Sequence, residues 1–298
     1  MGGSTVLIRL IGLVTVEHDG CPPRHLSSAQ VQVAFARLIL ERATGTSRDH
    51  LADTVWPEGL PDTWASALRS VVSRVRACVT GPQQRPGETP LVAQSGRYLL
   101  RLSDDAAVDV EVAETGVREA SAAFADGAHA VAHQMAAGAV SNLRGSFLPS
   151  HEGDWVGAER ERVDELRLTA LELASLSAAA LRDEHHALRY ADEAVRRAPL
   201  RESAHRCRMS AYTAAGNRAD ALRAYHHLRE VLADELGIEP SAETQEAYLR
   251  LLRDPGTPRP RRTPAAARRP RRGGDDLDAS LLGAFDALPP PARRAQPT

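Results

Sequence analysis

The sequence predicts a mainly α-helical protein in which a small winged helix-turn-helix unit precedes an all-helical, tetratricopeptide-like domain. Three observations predict it. The first 102 residues run in the order strand, strand, helix, short helix, long helix, hairpin. From about residue 109 to 253 every segment carries a helical pattern, with Gly and Pro rare inside the segments. Within that stretch Ala187-Leu188-Arg189 recurs as Ala221-Leu222-Arg223, 34 residues later, the period of a stacked helix-turn-helix repeat.

The opening strands are expected at residues 6–10 and 13–17, separated by Gly12 and followed by the turn His18-Asp19-Gly20. A helix over 28–42 has a broad apolar face, with Ser27 or Ser28 as its N-cap. A short helix over 48–56 starts at the cap Ser47 and is stopped by Pro57, which cannot continue the hydrogen-bond ladder. The long helix over 62–79 places Leu68, Val72, Val75 and Val79 in one inward stripe. Two strands joined at Gly96 then form a hairpin. Seven further helices are expected between 109 and 253, and Trp155 is expected to anchor one of them in the repeat core. Three segments follow: a winged-helix unit at 1–105, a helical domain at 106–253, and a tail at 254–298. Residues 254–272 hold seven Arg and five Pro with nothing apolar larger than alanine, a composition that cannot form a core.

Formal net charge is -2, so this is not a uniformly basic coat for nucleic acid, and the placement of arginines matters more than their number. All 37 basic side chains counted as Lys or Arg are arginine. Cys21, Cys78 and Cys207 are isolated, without metal-ligand spacing. The adjacent pairs His185-His186 and His226-His227 point about 100° apart on a helix and make poor chelates. No phosphate-cradling, dinucleotide or nucleophile-elbow motif occurs, so neither cofactor nor metal nor enzyme activity is expected. No apolar run approaches membrane-spanning length, and the opening segment does not read as a signal peptide.

The long third helix is the candidate site. In a winged helix its exposed face enters the major groove, where Arg can bond guanine O6 and N7 and shorter polar groups reach neighbouring edges or phosphates. Arg69, Ser70, Ser73 and Arg74 occupy that face, Arg76 is placed to reach a phosphate, and Arg97 lies on the hairpin with Arg101. Tyr98 and Leu100 alternate with these two and are expected in the core.

Over residues 5–253 the chain resembles the AfsR/DnrI/RedD family of Streptomyces antibiotic regulatory proteins. The resemblance rests on IRLIGLVTVEHDG, on SRDHLADTVWPEGLPDTWASALRSVVSRVRACV and SGRYLLRL, and on RRAPLRESAHRCRMSAYTAAGNRADALRAYHHLREVLADELGIEPSAET. It implies an OmpR-like winged helix followed by a bacterial transcriptional activation domain. It also implies an activator that binds direct repeats in promoters of secondary-metabolite clusters, self-associates on DNA and recruits RNA polymerase holoenzyme. Arg69, Ser73, Arg74 and Arg76 match the polar face of the family's recognition helix, and Arg97 its wing. The segment LSSAQVQVAF departs from the family in having Gln30 without a basic neighbour. A cytoplasmic, nucleoid-associated activator is the leading expectation; a repressor, or an interaction adaptor without DNA binding, are the alternatives.

Overall fold

The computed structural model describes residues 6–80, 90–103 and 105–253. The tail over 254–298, and the linker over 81–89 before the hairpin, lie outside the described residues. The first strand, β1 (Val6–Arg9), pairs antiparallel with β2 (Thr15–His18) in the register Leu7↔Glu17. A two-residue strand β3 (Arg24–His25) extends that sheet on the far side of β2. The second strand begins later than its apolar pattern suggests. Ile11 leaves the strand to bridge Phe147, and the Gly12 N–H donates to the Ser146 carbonyl at 2.9 Å.

Helix α1 (Ala29–Leu40) buries Val31, Val33, Phe35, Leu38 and Ile39. Ser28 is its N-cap residue, although its hydroxyl makes no capping bond. A short strand β4 (Thr46–Ser47) leads into α2 (Arg48–Val55), where the Ser47 hydroxyl accepts from the His50 N–H at 3.1 Å. Helix α3 (Trp64–Val79) follows, then the hairpin of β5 (Leu91–Gln94) and β6 (Arg97–Leu100). β4 pairs with β6, so the hairpin is a three-stranded sheet in the order β4-β6-β5. Tyr98 and Leu100 are buried as their alternation requires.

Strand β7 (Ala106–Val108) returns to the first sheet and pairs parallel with β1, in the register Leu7↔Ala107. The chain then enters α4 (Asp109–Ala125) directly. Asp109 is buried, and its carboxylate accepts N–H groups from Leu10 and Ile11 at 2.9 Å and from Val110 at 2.8 Å. Burial pushes this carboxyl above the usual range, while the three N–H donors and Arg9 pull it down. Two residues on, Glu111 takes a two-pronged ion pair from Arg42, whose Nη2 lies 2.7 Å from Oε2.

Helices α5 (His129–Asn142) and α6 (Asp154–Ala180) complete the junction. The loop between them is organised by two arginines of α6. Arg160 donates to the carbonyls of Phe147, Leu148 and His151, and Arg167 donates to those of Leu143 and Gly145. His151, buried in the same loop, reaches the Ala29 carbonyl at the start of α1 at 2.9 Å. One hydrophobic core therefore runs from Ile8 through α1, α2 and α3 to Val163 and Ala170 of α6.

Trp155 belongs to this core and not to the repeat core expected from the sequence. It packs edge-on against Phe147, with ring centroids 6.0 Å apart, and the Arg37 guanidinium of α1 lies 5.4 Å from its ring. The reason is the length of α6: its first turns overhang the winged-helix unit, and only its later turns reach the repeats. Gly153 precedes α6 with φ +116, and a Cβ there would meet Pro57 at 2.9 Å, so the α2–α3 loop approaches the start of α6 closely.

The repeats follow as α7 (Glu184–Arg197), α8 (Glu202–Ala214), α9 (Arg218–Leu236) and α10 (Ala242–Arg253). The recurrence seen in sequence is also a recurrence of caps. Asp183 accepts from the His186 N–H at 3.2 Å, and Asn217, 34 positions later, accepts from the Asp220 N–H at 3.3 Å. Ala187 and Ala221 are both fully buried, where small side chains let neighbouring helices approach. Arg201 ties the stack together by ion pairs to Glu165 and Glu172 of α6, at 2.6 and 2.7 Å.

The Asp109 clamp yields a stability prediction. Asp109→Ala leaves three buried N–H groups without an acceptor, each worth about 1–3 kcal/mol, so a loss of at least about 3 kcal/mol is expected. Urea unfolding monitored by tryptophan fluorescence measures it. An unchanged midpoint would contradict the clamp.

Candidate nucleic-acid interface

Helix α3 buries Leu68, Val71, Val72, Val75 and Val79, a stripe one residue wider than the sequence pattern alone gives. That stripe fixes the opposite face outward, with Arg69, Ser70, Ser73 and Arg74 all exposed. At about 100° per residue, Ser70 and Ser73 fall in the middle of the face, Arg69 and Arg76 on one edge, and Arg74 on the other. The side chains of Arg69 and Arg74 make no hydrogen bond or ion pair among the described residues. Their guanidiniums are available to an outside acceptor without breaking an internal contact.

Two of the expected site residues are tied internally. Arg76 is half-buried, and its Nε donates to the Leu91 carbonyl of β5 at 3.1 Å. Arg97 is exposed on β6, and its Nη2 donates to the Gly45 carbonyl at 2.7 Å. Each still carries N–H groups that point elsewhere, because a guanidinium has five donors. Their internal bonds set the distance between α3, the hairpin and the turn before β4.

The C-terminal end of α3 is pinned from the first sheet. The Arg24 guanidinium donates to the Ala77 carbonyl at 2.8 Å, and a His18 ring nitrogen lies 3.3 Å from the Cys78 carbonyl. Cationic and N–H donors at a helix C-terminus satisfy carbonyls that have no partner within the helix. The hairpin is pinned too: the Arg48 N–H at the start of α2 donates to the Gly96 carbonyl at its tip, at 3.0 Å.

Between α3, the hairpin and the start of α2 lies an open cleft of about 470 Å³. Arg48, Arg69, Arg76 and Arg97 line it together with Gln94 and Ser95, and no carboxylate does. Arg48 and Gln94 were not singled out from the sequence. Arg48 sits at the first position of a helix, where it reads as an ordinary surface residue, and only the return of the hairpin brings it to the cleft. Its guanidinium lies 4.8 Å from the Trp64 ring, which holds it over the start of α3. Four guanidiniums around a surface free of carboxylates favour a polyanion.

Among the described residues no group of three or more His, Cys, Asp or Glu could hold a metal ion, and no helix is long and apolar enough to cross a membrane. Cys207 is buried and its thiol is pushed up to about 12, chiefly by burial, so it is not a nucleophile at neutral pH.

Residues 108–252 match the family model of the bacterial transcriptional activator domain. The chain is 30% identical over 231 residues to the regulatory protein AfsR of Streptomyces coelicolor, a match that covers 76% of this chain and 22% of AfsR. It is 29% identical over 258 residues to the regulatory protein DnrI of Streptomyces peucetius, covering 85% of this chain and 94% of DnrI. It thus spans 22–24% of the length of the AfsR proteins it matches, and nearly all of DnrI. Among solved structures, Mycobacterium tuberculosis EmbR in complex with a low-affinity phosphopeptide superposes with a TM-score of 0.77. That likeness is at 23% identity, over 84% of this chain and 66% of the EmbR chain, and shows the shared fold.

The turn that receives Arg97 generates a prediction about how firmly the hairpin is held. Gly45 has φ +72, and a Cβ there would sit 3.1 Å from the Tyr98 carbonyl and 2.5 Å from Leu99 Cδ2. Gly45→Ala is expected to cost about 1–3 kcal/mol in strain. Thermal unfolding checks this, and a variant as stable as the parent would show that the turn has room to relax.

Proposed function

By homology the chain belongs to the AfsR/DnrI/RedD/EmbR family of regulators with a bacterial transcriptional activator domain, and on that premise we propose that it is a sequence-specific, DNA-binding transcriptional activator of a secondary-metabolite gene cluster. It acts as a regulator, the role for which the relatives it matches are named, and not as an enzyme. Double-stranded promoter DNA is the ligand, direct repeats are the target arrangement, and RNA polymerase holoenzyme is the partner that the helical domain recruits. The protein works in the cytoplasm, at the nucleoid.

The observation that carries this reading is the outward face of α3. Arg69 and Arg74 flank Ser70 and Ser73 there, unpaired among the described residues, on a helix whose end and neighbouring hairpin are both pinned. In the major groove, Arg74 and Arg69 make bidentate bonds to guanine O6 and N7. Ser70 and Ser73 reach base edges or phosphates between them. Arg48, Arg76 and Arg97 neutralise backbone phosphates around the cleft, which sets the register without reading sequence. Direct repeats place successive copies head to tail on one face of the duplex, with centres about one helical turn apart.

Three outcomes follow. Arg74→Ala loses about 1–3 kcal/mol of binding to the cognate duplex and little to a scrambled one, because a base contact is removed while phosphate contacts stay. Mobility shifts measure both, and equal affinities of variant and parent for the cognate duplex would overturn the role of Arg74. A footprint covers both members of a direct repeat and weakens when one is inverted. In transcription with purified RNA polymerase, the intact repeat raises promoter output. Repeat-bound protein that lowers output would make it a repressor.

A further inference from the structure

A second cationic cleft lies within the helical domain, between the end of α5, the middle of α6 and α7. It has a volume of about 280 Å³. Arg144, Arg189, Arg196 and Arg197 surround it, with buried Arg167 beneath. Glu193 is the one carboxylate that lines it, and it is shared between Arg196 and Arg197. Arg167 is spent on the carbonyls of Leu143 and Gly145 and on Asp164. Even with Asp164 included, five guanidiniums face two carboxylates.

The remaining cations are available. The Arg144 side chain has no hydrogen bond or ion pair among the described residues, and Arg189 is exposed, with its guanidinium 4.4 Å from the Tyr190 ring. Arg196 pairs with Glu193 through one nitrogen, and its side chain is 73% exposed. The crowding has a cost within the protein. Burial and the neighbouring charge of Arg197 both pull the Arg167 guanidinium below its ordinary value, and Asp164 offsets this in part. Behind the charges lie half-buried Val140 and the edges of the buried Leu171 and Tyr190, which give the cleft a small apolar floor.

We propose that this cleft binds a small organic anion, its phosphate or carboxylate group held by Arg144, Arg189 and Arg196 and its apolar body set against Val140, Leu171 and Tyr190. Guanidiniums match both head groups bidentately, and an anion among them relieves their mutual repulsion. The volume is at the lower end of small-molecule sites and suits a body of about one ring. The cleft is concave and backed by apolar side chains, which favours such a ligand over an extended polyanion. It lies on elements other than α3 and the hairpin, so its occupancy can be measured without DNA.

Calorimetric titration of the full chain at low salt tests the site, with phenyl phosphate, benzoate, inorganic phosphate and phenol as probes. One of the two ring-bearing anions saturates a single site, and the tighter of them identifies the head group. Inorganic phosphate, which lacks the apolar body, and phenol, which lacks the charge, bind at least about tenfold more weakly. Arg144→Ala and Arg189→Ala each weaken the tighter probe by about tenfold or more, and both fold normally by circular dichroism because both side chains are exposed. Arg223→Ala, an exposed arginine on α9, leaves affinity unchanged. Absence of saturable binding by both ring-bearing anions overturns the proposal. So does binding that survives Arg144→Ala and Arg189→Ala, which would place the anion elsewhere.

Discussion

The fold turns on one buried carboxylate. Asp109 is the first residue of α4, and it accepts N–H groups from the strand end at Leu10 and Ile11 while β7, just before it, pairs with β1. A charge in that position is tolerated because three donors converge on it. The consequence is that the chain cannot leave the winged-helix unit through a loose linker. It leaves as a strand of the first sheet and becomes a helix within one residue. The α5–α6 loop then returns to the same place, where Phe147 bridges Ile11 and the Gly12 N–H meets the Ser146 carbonyl. Helix α6 spans from this junction to the repeats. The winged-helix unit and the helical domain therefore share a core, and the face of α3 is held at a fixed attitude to the helices that follow.

A chain without lysine uses arginine for everything, and the structure separates the uses. Arg160 and Arg167 gather loop carbonyls, Arg201 crosslinks α6 to α8, and Arg24 finishes α3. These are structural arginines, and removing one leaves carbonyls or carboxylates exposed or buried without a partner. Arg69, Arg74 and Arg144 have no such internal duty among the described residues. Arg76 and Arg97 stand between the two groups, each with one internal bond and donors to spare. Counting arginines on a surface would not distinguish these classes, and net charge would distinguish them even less.

Much of this was legible in the sequence, and the parts that were not share a cause. The stripe Leu68, Val72, Val75, Val79 fixed the outward face of α3 from its spacing alone, because helical periodicity is a local property. The 34-residue recurrence located the repeats, and its caps at Asp183 and Asn217 are local as well. Strands β3, β4 and β7 were invisible, being two or three residues long, too short to alternate, and defined by partners far along the chain. Trp155 read as a repeat anchor because its helix leads into the repeats; that its first turns pack on α1 is a long-range fact. The same limit hid Arg48 and the internal bonds of Arg76 and Arg97. All depend on where the hairpin lands.

In the proposed complex an arginine of α3 reads a guanine in the major groove from this platform. The most direct measurement combines Arg74→Ala with a cognate duplex in which guanines are replaced by 7-deazaguanine, which removes the N7 acceptor and leaves pairing intact. If Arg74 bonds a guanine N7, the analogue weakens binding by the parent protein at one or more guanines, and Arg74→Ala abolishes the penalty at one of them. Equal penalties for parent and variant at every guanine, or none for either, would contradict it.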